Sequence, residues 1–397
     1  MTEKEAKEKV IMAGRRLVES GLITRTWGNV SCRIDENHFA ITPSGRDYRS
    51  IGPEDIVKVS IGDCSYTGDI KPSSEKGVHS EVYQHYPDIH FVIHTHQENA
   101  SVISALGLDS IIIDSKDPLL GDEILCASYG LPGTKKLKKS VADVIKKSKG
   151  NVIILKHHGA VCFGKDEEEA FRAALELEEV CESYIVKQYL KLEQKNTYNP
   201  DDLRQFALLL MGRNRVPQGD RVSQGFCNSE RTENGFQIYE KNGKETKSNL
   251  DEQADSLNGE AAIHKSIYNK YKKINYIIHA DTPNILSFSH AGINLYPFVD
   301  DFAQIVGTKV AAVKPAKAVT ALKGAAAVII NNNGAFCCGA NEIDAAAVAL
   351  IMEKNCKVFL SGTLFGKIKP IGWLDRNLMR IVYIKKYSRQ ISNNWGK

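Results

Sequence analysis

Two histidines one residue apart, His94-Thr95-His96, close the apolar run Ile89–Ile93. Alternate side chains of a strand share a face, so this spacing aims both imidazoles the same way and offers two nitrogens to one metal ion. A third imidazole, His158, follows a second apolar strand, Val152–Leu155, and precedes Gly159, which permits a tight turn. Glu75 opens a helix just before the histidine strand. Three histidines with an exchangeable carboxylate or water make a catalytic zinc site with one open position. A His-x-His pair alone reads as ordinary surface or core histidines; Glu75 and His158 in this order carry the metal reading.

Three further segments have the composition of an anion cradle: Thr26-Trp27-Gly28-Asn29, Pro43-Ser44-Gly45 and Ser73-Ser74. Small hydroxyl, amide and glycine residues let backbone N–H groups and hydroxyls surround a phosphate without obstruction. Ser73 and Ser74 also stand where the helix beginning near Glu75 exposes its first N–H groups, which favours an anion. Pro43-Ser44-Gly45 by itself is a turn. Three such segments converging on one zinc site make a phosphate subsite the better reading.

The elements that must position these residues mix helices and strands. Residues 3–20, 75–86, 135–148 and 166–191 read as helices; 38–42, 56–61, 89–96 and 151–156 read as strands. Without regular βα alternation, and with no GxGxxG after a strand, a layered α/β fold is expected rather than a dinucleotide-binding one.

The chain also repeats itself. Glu75, His79, Tyr83, Ile89, Ile93, His94 and Asn99 recur at one constant offset as Glu260, His264, Tyr268, Ile274, Ile278, His279 and Asn284. Gly159, Cys162, Gly164 and Ala170 return as Gly334, Cys337, Gly339 and Ala345, and Gly133-Thr134-Lys135 as Gly307-Thr308-Lys309. The length of 397 residues suits two domains of about 200 residues. The polar stretch 194–202 marks the boundary, giving a first domain at 1–195 and a second at 200–397.

Composition excludes several classes. With 42% hydrophobic and 25% charged residues the chain is of the globular kind, and the formal charge of +4 is small and dispersed. Lysine-rich stretches such as 135–147 and 265–273 read as solvated helix faces, with no base-reading motif, so no nucleic-acid partner is expected. No apolar run approaches the roughly 18 residues that span a bilayer, and the charged N-terminus is unlike a signal peptide. Nine cysteines without CxxC pairs fit buried free thiols and a cytoplasmic location.

Residues 1–190 resemble the class II aldolase/adducin superfamily, which includes L-fuculose-1-phosphate and L-rhamnulose-1-phosphate aldolases, L-ribulose-5-phosphate 4-epimerase and methylthioribulose-1-phosphate dehydratase. The matching segments run from Gly21-Leu22 through Thr26-Trp27-Gly28-Asn29-Val30-Ser31, then Ile41-Thr42-Pro43-Ser44-Gly45, Lys71-Pro72-Ser73-Ser74-Glu75, His94-Thr95-His96 and His157-His158-Gly159. The resemblance implies an α/β/α layered domain with a central, mostly antiparallel sheet, here duplicated in tandem. It implies Zn2+ held by His94, His96 and His158, Glu75 as the acid/base beside it, and a phosphate cradle from Thr26, Gly28, Asn29, Ser44, Gly45, Ser73 and Ser74. The expected reaction is cleavage of a ketose 1-phosphate to dihydroxyacetone phosphate and an aldehyde through a metal-stabilised enediolate. A 4-epimerase or a dehydratase would use the same logic, and a non-catalytic adducin-like scaffold is the reading from another class. Glu at position 75 resembles the aldolases, whereas the epimerases carry Asp.

Two departures matter. The fuculose-phosphate aldolases use a Tyr from a neighbouring subunit, and Asp114 stands at that position; Asp117 matches the acidic residue that the epimerases place at the interface. In the second half His96 becomes Asp281, His158 becomes Asn333 and Ser73-Ser74 becomes Asn258-Gly259. The segment Gln224-Gly225-Phe226-Cys227 replaces the Gly28-Asn29 loop. The second copy is therefore expected to be metal-free, leaving one zinc per chain. The family's sites lie between subunits of a four-fold ring, so a homodimer of this tandem chain is expected to imitate that ring, with second-half residues such as Asp300 or Asp301 lining the first-half site.

Overall fold

The computed structural model describes residues 1–23, 27–114, 117–214, 227–251 and 259–387. The chain forms two compact units that divide between Gln188 and Tyr189, the second ending at Tyr383 and the chain from Ile384 belonging again to the first. That division falls inside the helix Glu167–Glu193, ahead of the polar stretch at 194–202. A break in packing therefore does not coincide with the break in composition, because the helical periodicity runs on through it.

The first unit is built on an eight-stranded sheet: β1 (Asn29–Arg33), β2 (His38–Ile41), β3 (Val57–Ser60), β4 (Phe91–Thr95), β5 (Ser110–Ile112), β6 (Glu123–Ala127), β7 (Val152–Leu155) and β8 (Gly159–Gly164). Their order is β3-β2-β1-β4-β8-β7-β6-β5. Every pairing is antiparallel except β6 with β7. One face carries Phe39, Ile41, Val57, Val59, Val92, Ile153, Leu155, Val161 and Phe163 into a common core with Val78 and Val82 of the helix Lys76–His85 and Leu137, Val141 and Ile145 of the helix Lys135–Ile145. Period-two strands and i, i+4 helix positions supply those apolar stripes. The helix Glu3–Glu19 packs on β1 and β2, and the helix Glu98–Ala105 on β7 and β8. A reciprocal cap starts the former: Thr2 Oγ1 accepts from Glu5 N and Glu5 Oε2 accepts from Thr2 N.

The second unit repeats the plan with seven strands: β9 (Cys227–Arg231), β10 (Gly235–Glu240), β11 (Glu245–Asn249), β12 (Tyr276–Ala280), β13 (Ala312–Val313), β14 (Ala327–Ile330) and β15 (Ala335–Gly339). Their order, β11-β10-β9-β12-β15-β14-β13, matches the first sheet strand for strand, with the one parallel pair, β13 with β14, in the same place. Among the described residues no strand pairs beyond β13 as β5 does beyond β6, and no helix is long and apolar enough to cross a membrane. All nine cysteines are free, and all but Cys64 are buried.

Candidate metal centre and active site

Val92 belongs to the core face of β4, and His94 and His96 follow it at the two-residue strand period. The Nε2 atoms of His94 and His96 stand 2.9 Å apart, as do those of His94 and His158. Glu75 closes the cluster, with Oε2 3.1 Å from His94 Nε2 and Oε1 2.9 Å from His158 Nε2. His94, His158 and Glu75 are buried, at 1%, 2% and 7% exposure.

Turn geometry brings His158 in. Leu155 pairs with Gly159 across the β7–β8 hairpin, and His157 takes the left-handed conformation, with φ 61°. Gly159 has a different task from the tight turn expected of it. A Cβ there would run into the Thr95 carbonyl oxygen, so glycine is needed for close approach to the histidine strand.

The donor set fits a cation. His94 Nδ1 donates to the Ala160 carbonyl oxygen at 2.9 Å, so the neutral ring turns the lone pair of Nε2 toward the other two imidazoles. Burial pushes His94 well below its ordinary range. Burial would raise the Glu75 carboxyl, but His94 and His158 outweigh it and hold it well below the usual carboxylate range. Both directions favour unprotonated donors. Converging buried lone pairs are costly without a positive charge between them, and three imidazoles with one exchangeable carboxylate suit zinc.

A buried relay fixes the carboxylate. Asn29 sits directly across the ladder from His94. Its Nδ2 donates to Glu75 Oε2 at 3.0 Å, and its Oδ1 accepts from His79 Nε2. His79 Nδ1 lies 2.6 Å from Ser31 Oγ, which lies 2.7 Å from Tyr83 Oη. Since Nε2 of His79 is the donor, Nδ1 accepts from the Ser31 hydroxyl. Burial lowers the His79 pKa to about 3, so the ring is neutral. Sequence reasoning misses this relay, although Ser31 and His79 lie within the segments singled out above; β1, which carries Asn29 and Ser31, reads in the sequence only as part of a loop motif.

Of the cradle residues, Thr26 lies outside the described residues. Gly28 has φ +138°, and a Cβ there would lie 2.5 Å from Ile23 Cγ2 and 2.7 Å from the His94 carbonyl. Ser44 N donates to the Lys71 carbonyl and Ser73 N to the Thr42 carbonyl, at 2.9 and 3.0 Å. The Ser44-Gly45 turn therefore runs beside Ser73-Ser74, which lead into the helix at Lys76. Ser44 is half-buried, and Gly45 and Ser74 are exposed.

The two aspartates have partners on the long helix. Asp114, its side chain 89% exposed, lies 3.6 Å from Lys187 Nζ. Asp117 lies 3.1 Å from Arg172 Nε and accepts from Leu119 N in its own turn.

In the second unit His279 Nδ1 lies 2.7 Å from Glu260 Oε1, and its Nε2 donates to the Asn333 carbonyl at 2.5 Å. Lys241 donates to Asp281. Asn332 keeps the left-handed turn, φ 63°, that His157 makes in the first unit; the hairpin is copied while the ligand it presented is gone. Asp300 and Asp301 are buried, at 0% and 2% exposure, and Lys354 donates to Asp301.

The chain belongs to the class II aldolase and adducin N-terminal domain family, which matches residues 8–185 and again 224–360. The duplicated mixed α/β architecture, one sheet to each half, is that of a class II aldolase repeated in tandem. A 5-deoxy-D-ribulose 1-phosphate aldolase from Bacillus thuringiensis serovar kurstaki is 29% identical over 185 residues, 46% of this chain and 86% of that protein. Among solved structures, an L-fuculose 1-phosphate aldolase is 29% identical, covering 50% of this chain and 92% of that one, with a TM-score of 0.43. The L-fuculose-1-phosphate aldolase of Thermus thermophilus is 25% identical, covering 49% and 97%, with a TM-score of 0.40.

Proposed function

We propose that the first unit is a zinc-dependent aldolase that cleaves a ketose 1-phosphate to dihydroxyacetone phosphate and an aldehyde. The observation that carries this reading is the cluster of three imidazole nitrogens, those of His94 and His158 against the buried Glu75 carboxylate and that of His96 against His94. Zinc held by the three histidines would supply a Lewis acid for the carbonyl and neighbouring hydroxyl oxygens of the substrate. Glu75, held by Asn29, would deliver a proton to the carbon that loses its C–C bond and remove it in the reverse addition. The Ser44-Gly45 and Ser73-Ser74 turns bind the phosphate and orient the sugar, with Thr26, Gly28 and Asn29 as the further cradle residues. One proton of Asn29 Nδ2 remains for that purpose after the bond to Glu75.

Asp114 is the candidate acid/base for the hydroxyl that loses its proton as the aldehyde leaves and regains it in the reverse addition, since its exposed carboxylate would meet a neighbouring copy. The Asp117 carboxylate, tied to Arg172 and its own turn, is a weaker candidate. The second unit is a structural partner for this chemistry, and two chains assemble so that four units take the place of a four-subunit ring. The similarity to a 5-deoxy-D-ribulose 1-phosphate aldolase supports aldol cleavage over epimerisation or dehydration.

The test is dihydroxyacetone phosphate release from a panel of ketose 1-phosphates by the zinc-loaded protein, with His94→Ala as control. Release that vanishes in the variant supports the aldolase; silence across the panel from a zinc-bound protein overturns it in favour of an epimerase or dehydratase. Light scattering at the mass of a single chain would overturn the assembly.

A further inference from the structure

The relay of the first unit is copied in the second with one substitution and the opposite proton arrangement. Ser229, His264 and Tyr268 repeat Ser31, His79 and Tyr83: Ser229 Oγ lies 2.9 Å from His264 Nδ1 and 2.8 Å from Tyr268 Oη. Arg231 donates to the Tyr268 carbonyl as Arg33 does to that of Tyr83. At the strand position of Asn29 stands Cys227, the first residue of β9 as Asn29 is of β1. No amide is left to accept from the second histidine.

The protons can be placed. Tyr268 Oη donates to the Ser229 carbonyl at 2.7 Å, which uses its only hydrogen. It therefore accepts from Ser229 Oγ, which leaves Ser229 Oγ to accept from Nδ1–H of His264. The neutral His264 ring then carries its lone pair on Nε2. That nitrogen is fully buried and has no hydrogen-bond partner. It lies 3.9 Å from Glu260 Oε1, so a lone pair faces a carboxylate across a gap, an arrangement that costs free energy until a cation enters it. Cys227 Sγ is 4.0 Å from Nδ1 of the same ring. One donor atom from each of Cys227, Glu260 and His264 lies within 4.8 Å of the others. In the first unit the Asn29 amide occupies the corresponding place.

We propose that Cys227, Glu260 and His264 form a second metal site, which binds zinc in the second unit. Thiolate, imidazole and carboxylate are a zinc donor set, and Nδ1–H donating to a hydroxyl is the outer contact that orients a ligating imidazole. Zinc bonds of about 2.0–2.3 Å draw the three donors together through rotation of the Cys227 and Glu260 side chains. The S–H bond of Cys227 breaks as the S–Zn bond forms, and the proton leaves to solvent. Binding releases the thiol proton, so it strengthens as pH rises. The expected content rises from one zinc per chain to two, and the second is structural because it lacks the triad of the first unit.

Cobalt distinguishes the sites, because the first has no sulfur. The full chain carrying His94→Ala and His158→Ala is loaded with Co2+ and read for cobalt content and for thiolate-to-cobalt charge transfer in the near ultraviolet. One cobalt per chain with that band is expected, and adding Cys227→Asn abolishes both. Asparagine fills this position in the first unit, so the variant has a folded precedent; Cys227→Ser, smaller still, must also lose the band. No bound cobalt, a spectrum without the sulfur band, or a band that survives either substitution would overturn the proposal.

Discussion

Asn29 bridges Glu75 to a neutral histidine that never touches the histidine cluster: its amide donates to Glu75 Oε2 at 3.0 Å and accepts from His79 Nε2. The orientation of the Glu75 carboxylate therefore depends on a relay that begins on another strand. In the second unit the same strand position holds Cys227, and its N–H donates to Glu260 at 3.0 Å in place of an amide.

Asn29→Cys in the first unit imports that difference. Loss of an outer contact to a metal-proximal carboxylate is expected to lower kcat by about 10- to 100-fold, with bound metal retained. The readout is the split of kcat against KM: a rise in KM alone would show that Asn29 serves only the phosphate.

Glu75→Gln keeps the amide bond to Asn29 but removes the base. Activity is expected to fall by about 10²–10⁴-fold while the protein remains folded. Single-turnover measurement of dihydroxyacetone phosphate release checks this, and a rate within a few-fold of the parent would remove Glu75 from proton transfer.

Gly28→Ala should destabilise the first unit by about 1–3 kcal/mol. The new Cβ would lie 2.5 Å from Ile23 Cγ2 and 2.7 Å from the His94 carbonyl at φ +138°. Urea midpoints compared at constant m-value measure the cost, and an unchanged midpoint would mean that this loop moves to accept the methyl group.

Acid sensitivity follows from the two buried relay histidines. Burial holds His79 and His264 at about 3 against an ordinary 6.5. Below about pH 6.5 the unfolded chain takes up protons that the folded chain refuses, so the unfolded state binds more of them and stability falls as pH drops toward 3. Above that window these residues contribute no slope. Urea denaturation at pH 7 and pH 5 should show the loss, and it should shrink in His79→Gln.

Removal of the metal leaves three imidazole nitrogens facing one another in a buried space. Chelation is expected to lower the melting temperature, since a ligand at about 1,000 times its Kd stabilises by about 4 kcal/mol. The same treatment of His96→Ala should move the melting temperature less, as differential scanning calorimetry would show.

Much of this protein is legible in one dimension because its chemistry repeats on local periods. The two-residue period of a strand places His94 and His96 on one face before any fold is known, and recurrence at constant offset from Glu75 and Glu260 reveals two copies. Helix and strand bounds such as 3–20 and 56–61 differ from Glu3–Glu19 and Val57–Ser60 only at their ends, where capping and fraying rather than pattern decide. What tertiary structure alone decides depends on contacts between segments far apart in the chain. Strand β1 reads in the sequence as part of a loop motif because its polar residues Asn29, Ser31 and Arg33 would be expected at the surface, yet both faces of the strand are buried. Gly159 reads there as a turn residue, but only the fold brings the Thr95 carbonyl against it. The relay Glu75–Asn29–His79–Ser31–Tyr83 joins β1 to a helix more than forty residues on. Hydrogen bonds of that reach have no sequence period, so proton placement, and with it the contrast between His79 and His264, exists only in the folded chain.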